Sequence, residues 1–184
     1  MKLTRLFPAL LLAFLAVGTS GRLAAETDSS LQPKIEAKIA EVKTWAADPA
    51  IVAAVVAQNT AMPAAYASMN QETWKGLTVL DPLVRGLSRN PTALILKSHK
   101  SDWVAEAFLN DASGAKVALL SKSTNWSHGT SQKHTDPMAG KVWQGTAQID
   151  ESSGLQQIQI SVPVLSEGKP VGSLIVGISV SKLD

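Results

Sequence analysis

Two long stretches near the end of the chain place a large apolar residue at every second position, with mostly small or polar residues between, and they constrain the fold more than anything else. In the first, Ile158, Ile160, Val162 and Val164 share one parity, while Gln157, Gln159 and Ser161 share the other. In the second, Leu174, Val176, Ile178 and Val180 alternate with Ser173, Ile175, Gly177 and Ser179. A period of two is the signature of a strand with two unlike faces. The Ser166-Glu167-Gly168-Lys169-Pro170 stretch between them is hairpin-sized, so the pair must be antiparallel.

Upstream, the same period predicts a strand over 104–109, with Val104, Glu106 and Phe108 on one face and Ala105, Ala107 and Leu109 on the other. Asn110 to Gly114 then forms a turn, because Asn and Asp bond to nearby backbone and glycine allows positive φ. Further strands are predicted over 117–120 and 143–150, with the two long ones at 155–164 and 171–180. Before residue 100 the period is helical. Ile35, Ile39, Val42 and Ala46 form one stripe, and Ile51, Val52, Val55 and Val56 a second beyond Asp48-Pro49. This predicts a long helix, or two nearly collinear ones, over 34–59. Short helices are predicted over 63–71 and from Asp81-Pro82 through Leu87, the latter ended by Asn90-Pro91. Helices first and a strand meander after them describe an α+β domain: an antiparallel sheet of five or six strands with the long N-terminal helix packed on one face. The 184-residue length suits one such domain.

The start of the chain reads differently. Lys2 and Arg5 precede an apolar run from Phe7 to Val17 and then small residues, the pattern of a secretory signal over 1–25, ending after Leu23-Ala24-Ala25 or near Gly21. An uncleaved anchor is the alternative, although the run is short for a span of roughly 20 residues. Residues 26–33 are polar and read as a tether, leaving 34–184 as the domain. Without residues 1–25 the chain loses Lys2, Arg5 and Arg22, and 14 basic residues face 15 acidic ones. Nucleic-acid binding, which needs clustered positive charge, is not expected. The absence of cysteine excludes disulfides, thiolate chemistry and cysteine metal sites. Together these features predict a periplasmic protein.

The polar segment 121–141 is long for a simple connection. It carries Lys122, Asn125, Trp126, His128, Lys133, His134 and Asp136. If it folds over the Gln157, Gln159 and Ser161 side of the sheet, it encloses a small cavity. Trp126 would supply a flat wall, the histidines and lysines would meet a carboxylate, and Asp150 would meet an amine. The alternatives are a solvated sheet face and a solvated loop with Trp126 pinned to the core. His128 and His134, six apart with Asp136 beyond, match no standard metal spacing. Ser127 and His128 are neighbours that diverge in an extended loop, and a Ser161–His128–Asp150 triad can be drawn in any chain this rich in acids and serines. No GxSxG, HExxH, Walker loop or GxGxxG occurs. Neither an enzyme nor a cofactor is expected.

Several blocks resemble the Cache (PDC) superfamily of extracellular PAS-like sensor domains, in particular its small single-module periplasmic members. They are Phe108-Leu109-Asn110-Asp111-Ala112-Ser113-Gly114-Ala115-Lys116-Val117, Ser123-Thr124-Asn125-Trp126, Gly140-Lys141-Val142-Trp143 with Gly145, and Asp150-Glu151-Ser152-Ser153-Gly154. The closing hairpin, Ile160 to Val164 and Gly168 to Gly177, is the most specific, and Trp45, Asp48-Pro49, Asn59 and Trp74 are similar to the leading helix. The resemblance covers roughly residues 34–183. It implies a sheet backed by the N-terminal helix, with a small organic acid, amino acid or amine held on the opposite face. Trp126 would be its wall, His128 or Lys133 its anion partner, Asp150 a rim group, and Gln159 and Ser161 floor donors. The tyrosine- and arginine-rich amino-acid signature of two-module members is missing, since Tyr66, Arg85 and Arg89 all precede the sheet. No second span, HAMP segment or kinase region follows Asp184, so the expected partner is a separate membrane-bound receptor or kinase. The alternative is an interaction module with the same fold and no pocket, forming a homodimer through the N-terminal helix.

Overall fold

The computed structural model describes residues 30–149 and 156–183. The signal segment, the first part of the tether, Asp150 and the 151–154 hairpin lie outside the described residues. Helix α1 (Gln32–Ala46) starts two residues before the predicted domain boundary, with Pro33 in its first turn, and buries Ile35, Val42 and Trp45. The 34–59 stretch is two helices. The Asp48 side chain accepts from Ala50 N at 2.7 Å and opens α2 (Pro49–Thr60), where a proline in the first turn loses no hydrogen bond.

The predicted helix over 63–71 is absent. A single 3-10 turn occupies Ala64–Tyr66, and helix α3 (Gln71–Gly76) begins only after Asn70, whose side chain accepts from Thr73 N. Helix α4 (Pro82–Arg89) opens at Asp81 as expected. Asn90 ends it and at once caps α5 (Pro91–Ser98), accepting from Ala93 N at 2.8 Å. The Asn-Pro pair, taken from sequence as a stop, is therefore also a start.

The strands are β1 (Val104–Asp111), β2 (Lys116–Leu119), β3 (Trp143–Gln144), β4 (Gln148–Ile149), β5 (Gln156–Ser166) and β6 (Lys169–Ser179), with helix α6 (Gln132–Met138) between β2 and β3. They form one antiparallel sheet in the order β2-β1-β6-β5-β3, with β4 also paired to β5. The predicted strand 143–150 is thus two short pieces: after Gly145, whose N still donates to Gln159 O, the chain leaves β5 and rejoins it at Gln148. At the β1–β2 turn, Asp111 Oδ1 accepts from Ser113 N and Ala115 N, and Gly114 takes φ 84°.

Helices α1, α2 and α5 cover one sheet face. There Ile158, Ile160, Val162, Val164, Leu174, Val176 and Ile178 pack with Ile35, Val42, Ile51, Val55 and Leu96 into the main core. Each of these side chains is almost fully buried, a gain of about 1.5–3 kcal/mol apiece that drives the sheet onto the helices. The other face carries the second parity. At its β1–β2 end, Phe108, Leu119 and Ile175 pack with Trp74, Val84, Leu87 and Trp126 into a smaller cluster. Toward β5 that face is polar, and α6 packs over β5 and β6.

Candidate functional site

The register between β1 and β6 shifts between Val104 and Glu106. This bulge changes the phase expected from sequence: Val104 joins Ala107 and Leu109 in the helix-side core, while Glu106 and Phe108 take the other face. Bulges commonly re-aim a side chain in this way. Glu106 keeps the parity of Phe108 and, opposite Gly177, projects over the polar part of the sheet. Its Oε1 accepts from Gln157 Nε2 at 3.1 Å and from Gln159 Nε2 in a shorter bond. Opposite them in β6 is Gly177, where a Cβ would stand 2.7 Å from Glu106 Cγ and closer still to Gln157. The glycine makes the space in which the three side chains meet.

Above this floor lies the 121–141 segment. Gln71 of α3 holds one end of it: Gln71 Oε1 accepts from Trp126 N at 2.9 Å, and its amide donates to Thr124 O at 3.1 Å. Trp74 Nε1 donates to Ser123 O at 2.8 Å. Farther along, Ala115 and Ser127 form an isolated antiparallel bridge, and His128 N donates to Gly114 O. The segment was read as irregular; its second half is α6, from which Lys133 Nζ reaches down to Gln159 Oε1 at 2.8 Å. Between floor and cover is a cavity of about 680 Å³, walled by Glu106, Phe108, His128, Lys133, Trp143 and Gln159 among others.

Behind the cavity wall is a buried polar cluster. Lys116, fully buried, has Nζ 2.9 Å from Asn110 Oδ1, 2.7 Å from His128 Nδ1 and 4.0 Å from the centroid of the Phe108 ring. The His128 ring stacks on Phe108 at 5.0 Å. Asn110 Nδ2 donates to Ser173 Oγ at 3.3 Å, and Ser173 Oγ lies 2.7 Å from His134 Nδ1. His134 Nε2 is 3.2 Å from Ala112 O. Nearby, Gln58 of α2 donates to Asp111 Oδ2 and Lys116 O, which ties the helix layer to the same turn.

Burial dominates the electrostatics here. It pushes the Lys116 amine well below its usual range, helped by Lys133 and opposed by Glu106 and Asp111. It lowers His128 to about 2, reinforced by Lys116, Lys133 and His134. Lys133 is lowered by burial and held up by Glu106. His134 is lowered by burial, against the hydrogen bond to Ala112 and the charge of Asp111.

Of the residues singled out from sequence, His128, Lys133 and Gln159 line the cavity together. Trp126 does not. It is 6% exposed and packs on Trp74 and Tyr66 with ring centroids 5.4 and 5.9 Å away, so it pins the covering segment to the second core instead of walling the cavity. Ser161 has the expected parity but is fully buried between Trp143 and Ile175, and its Oγ meets no hydrogen-bond partner among the described residues. Asp150 lies outside the described residues. Sequence reasoning put Glu106 on the Phe108 face but missed it as a site residue, because nothing local shows that the sheet brings that position against Gln157 and Gln159. It passed over Lys116, although a lone lysine inside Ala115-Lys116-Val117-Ala118-Leu119 was a signal. The Ser173–His134 pair has the spacing of a nucleophile and base, but both are buried away from the cavity, and the far imidazole nitrogen meets a backbone carbonyl, not a carboxylate. Among the described residues no three His, Cys, Asp or Glu side chains group to hold a metal, and no helix is long and apolar enough to cross a membrane.

No family model and no curated protein matches the chain. Solved structures similar to it include the ligand-binding domain of the Pseudomonas aeruginosa PAO1 amino acid chemoreceptor PctC in complex with GABA, at 16% identity and TM-score 0.47 over 84% of this chain. Another is the ligand-binding domain of the Campylobacter jejuni chemoreceptor Tlp3 in complex with 4-methylisoleucine, at 16% identity and TM-score 0.46 over 84% of this chain. A third is the sensor domain of the V. cholerae histidine kinase DctB, at 16% identity and TM-score 0.37 over 82% of this chain. The matches span 57%, 56% and 59% of those structures respectively.

Proposed function

We propose that this chain is a sensor-type binding domain that takes a small polar metabolite, an organic acid, amino acid or amine, into the cavity between β5 and the 121–141 segment. The observation that carries this reading is the set Glu106 of β1, Gln159 of β5, and Lys133 and His128 of the 121–141 segment, drawn onto one cavity of about 680 Å³. That volume falls within the usual range for small-molecule sites, roughly 300–1,000 Å³. A carboxylate, an ammonium, an amide and an imidazole offer both signs of charge and both senses of hydrogen bond. A ligand carrying an acid, an amine or both therefore finds partners without leaving a buried charge unpaired.

Export, expected from residues 1–25, would put this cavity in the periplasm. Occupancy would then be passed to a membrane-bound receptor or kinase through the outer surface of the domain. The test is to extract the purified protein and identify co-purifying metabolites by mass spectrometry, then screen carboxylates, amino acids and amines by thermal shift. At least one compound should raise Tm, and Lys133→Ala should reduce that shift, since a ligand specific for the folded state stabilises it by linkage. A panel without any shift, together with an extract without any retained compound, overturns the reading.

A further inference from the structure

We infer that Lys116, which does not line the cavity, is a positioning residue for its ligand: it holds the His128 ring so that Nε2–H faces the cavity, and an anionic group is bound there with the Lys116 charge behind it. This rests on the binding-domain reading above and adds to it a residue and a direction of hydrogen bonding.

The chain of contacts behind the wall has a fixed polarity. The Ala112 carbonyl can only accept, so His134 carries its proton on Nε2, and its Nδ1 must accept. Ser173 then gives its hydroxyl hydrogen to His134 Nδ1 and uses its oxygen to accept from Asn110 Nδ2. That fixes the Asn110 amide with Oδ1 toward Lys116, which donates to it. The second neighbour of Lys116 Nζ is the face of Phe108, whose quadrupole attracts N–H and repels a lone pair. The third is His128 Nδ1.

With all three directions met by acceptors, an ammonium satisfies every partner. His128 Nδ1 then accepts, and the imidazole hydrogen sits on Nε2, the ring nitrogen not held by Lys116. A neutral amine would have to turn its lone pair to His128 and reverse the imidazole, so that a lone pair faces the ligand. An anion in the cavity selects the first arrangement, because it meets N–H in place of a lone pair and lies close to a positive charge. The influences on Lys116 divide accordingly: burial, the largest, and Lys133 oppose its protonation, Glu106 and Asp111 favour it, and a bound anion joins the second pair. His134 and Lys133 both act against a proton being added to His128 itself, so the charge stays on Lys116.

The test uses acetate, pyruvate, succinate and inorganic phosphate as anionic probes, with methylammonium and acetamide for comparison. Histidine-15N NMR of the wild-type protein, saturated with whichever anion binds, should give His128 as the Nε2–H tautomer with Nδ1 accepting. Lys116→Met should weaken that anion at least tenfold in calorimetry, and should have under a twofold effect in a His128→Phe background, since Lys116 acts through the ring. An Nδ1–H tautomer in the bound wild type overturns the inference without requiring any variant to fold. So does unchanged affinity in Lys116→Met. Binding of methylammonium or acetamide with no anion bound leaves the cavity reading standing and removes this one; no binding of any of the four anions removes this one, and the cavity reading falls only if the wider panel and the extract are empty as well.

Discussion

Lys133 of α6 and Gln159 of β5 meet at 2.8 Å, Nζ to Oε1, where the covering segment touches the polar face of the sheet. The same Gln159 gives its amide hydrogen to Glu106, so cover, floor and the β1 bulge form one connected set. Burial lowers the Lys133 amine and Glu106 opposes that shift, and this lysine is the side chain through which α6 reaches the polar floor at Gln159. Lys133→Met should loosen the cover. Exchange of the α6 amides should accelerate by roughly three- to tenfold, which corresponds to about 0.6–1.4 kcal/mol, while global stability falls by no more than about 1.5 kcal/mol. Native-state hydrogen exchange resolves the two. A uniform acceleration throughout the sheet would mean that Lys133 supports the fold and not the cover.

Gly177 should tolerate no side chain. A Cβ there would lie 2.7 Å from Glu106 Cγ and would also press on Gln157, so Gly177→Ala must push both side chains off the floor. The expected cost is about 1–3 kcal/mol by overpacking, with ligand-induced Tm shifts abolished. Gly76→Ala is the control, because nothing lies within 4 Å of a Cβ at that position.

The sheet was legible because burial on one face and not the other leaves a period of two in the residues themselves; Ile158 to Val164 and Leu174 to Ile178 carry it without interruption. Helices α1 and α2 were legible from their own apolar stripes, down to the break at Asp48-Pro49, whereas α5 was hidden behind the Asn90-Pro91 stop. What could not be read was whatever depends on where a ladder slips. The bulge after Val104 inserts one residue and turns Val104 away from the parity of Glu106 and Phe108 into the helix-side core, and no local residue preference marks it. Trp126 illustrates the converse. An indole in a polar loop suits a ligand wall or a core anchor equally, and only the arrival of Trp74 and Tyr66 from distant helices decides for the anchor.

Stability should fall as the solution is acidified from neutrality. His128 is held at about 2 in the folded chain, whereas the unfolded chain titrates near 6.5. Below about pH 6.5 the unfolded state therefore binds a proton that the folded state refuses, and its free energy drops relative to the folded one. Between pH 7 and 5 this single residue removes roughly 2 kcal/mol, and His134, lowered in the same sense, adds to the loss. Urea unfolding at pH 7, 6 and 5 measures it, and His128→Phe should flatten part of the slope. A pH-independent midpoint over this range would contradict the buried, neutral imidazole.

Ser161 offers a discriminating substitution. Its hydroxyl is fully buried without a hydrogen-bond partner among the described residues, so Ser161→Ala removes a polar group that gains nothing from the protein. The variant should be as stable as the wild type or up to about 1 kcal/mol more stable, because an unmade buried hydrogen bond is a desolvation cost. Chemical denaturation gives the sign. A loss of more than about 1 kcal/mol would mean that the hydroxyl is satisfied in solution, by water or by a ligand reaching past Gln159.

Trp126 decides between cover and wall. It is buried against Trp74 and Tyr66, and its backbone N is held by Gln71, so truncation opens a large hole in the second core. Trp126→Ala should cost about 3–5 kcal/mol, enough to leave little folded protein at 37 °C, whereas Trp126→Phe should retain most of the packing and lose about 1–2 kcal/mol. The informative quantity is the ligand response of Trp126→Phe at 20 °C. An anchor outside the cavity predicts a lower starting Tm with an undiminished ligand-induced rise; a wall predicts that the rise itself shrinks while the starting Tm stays near the wild-type value.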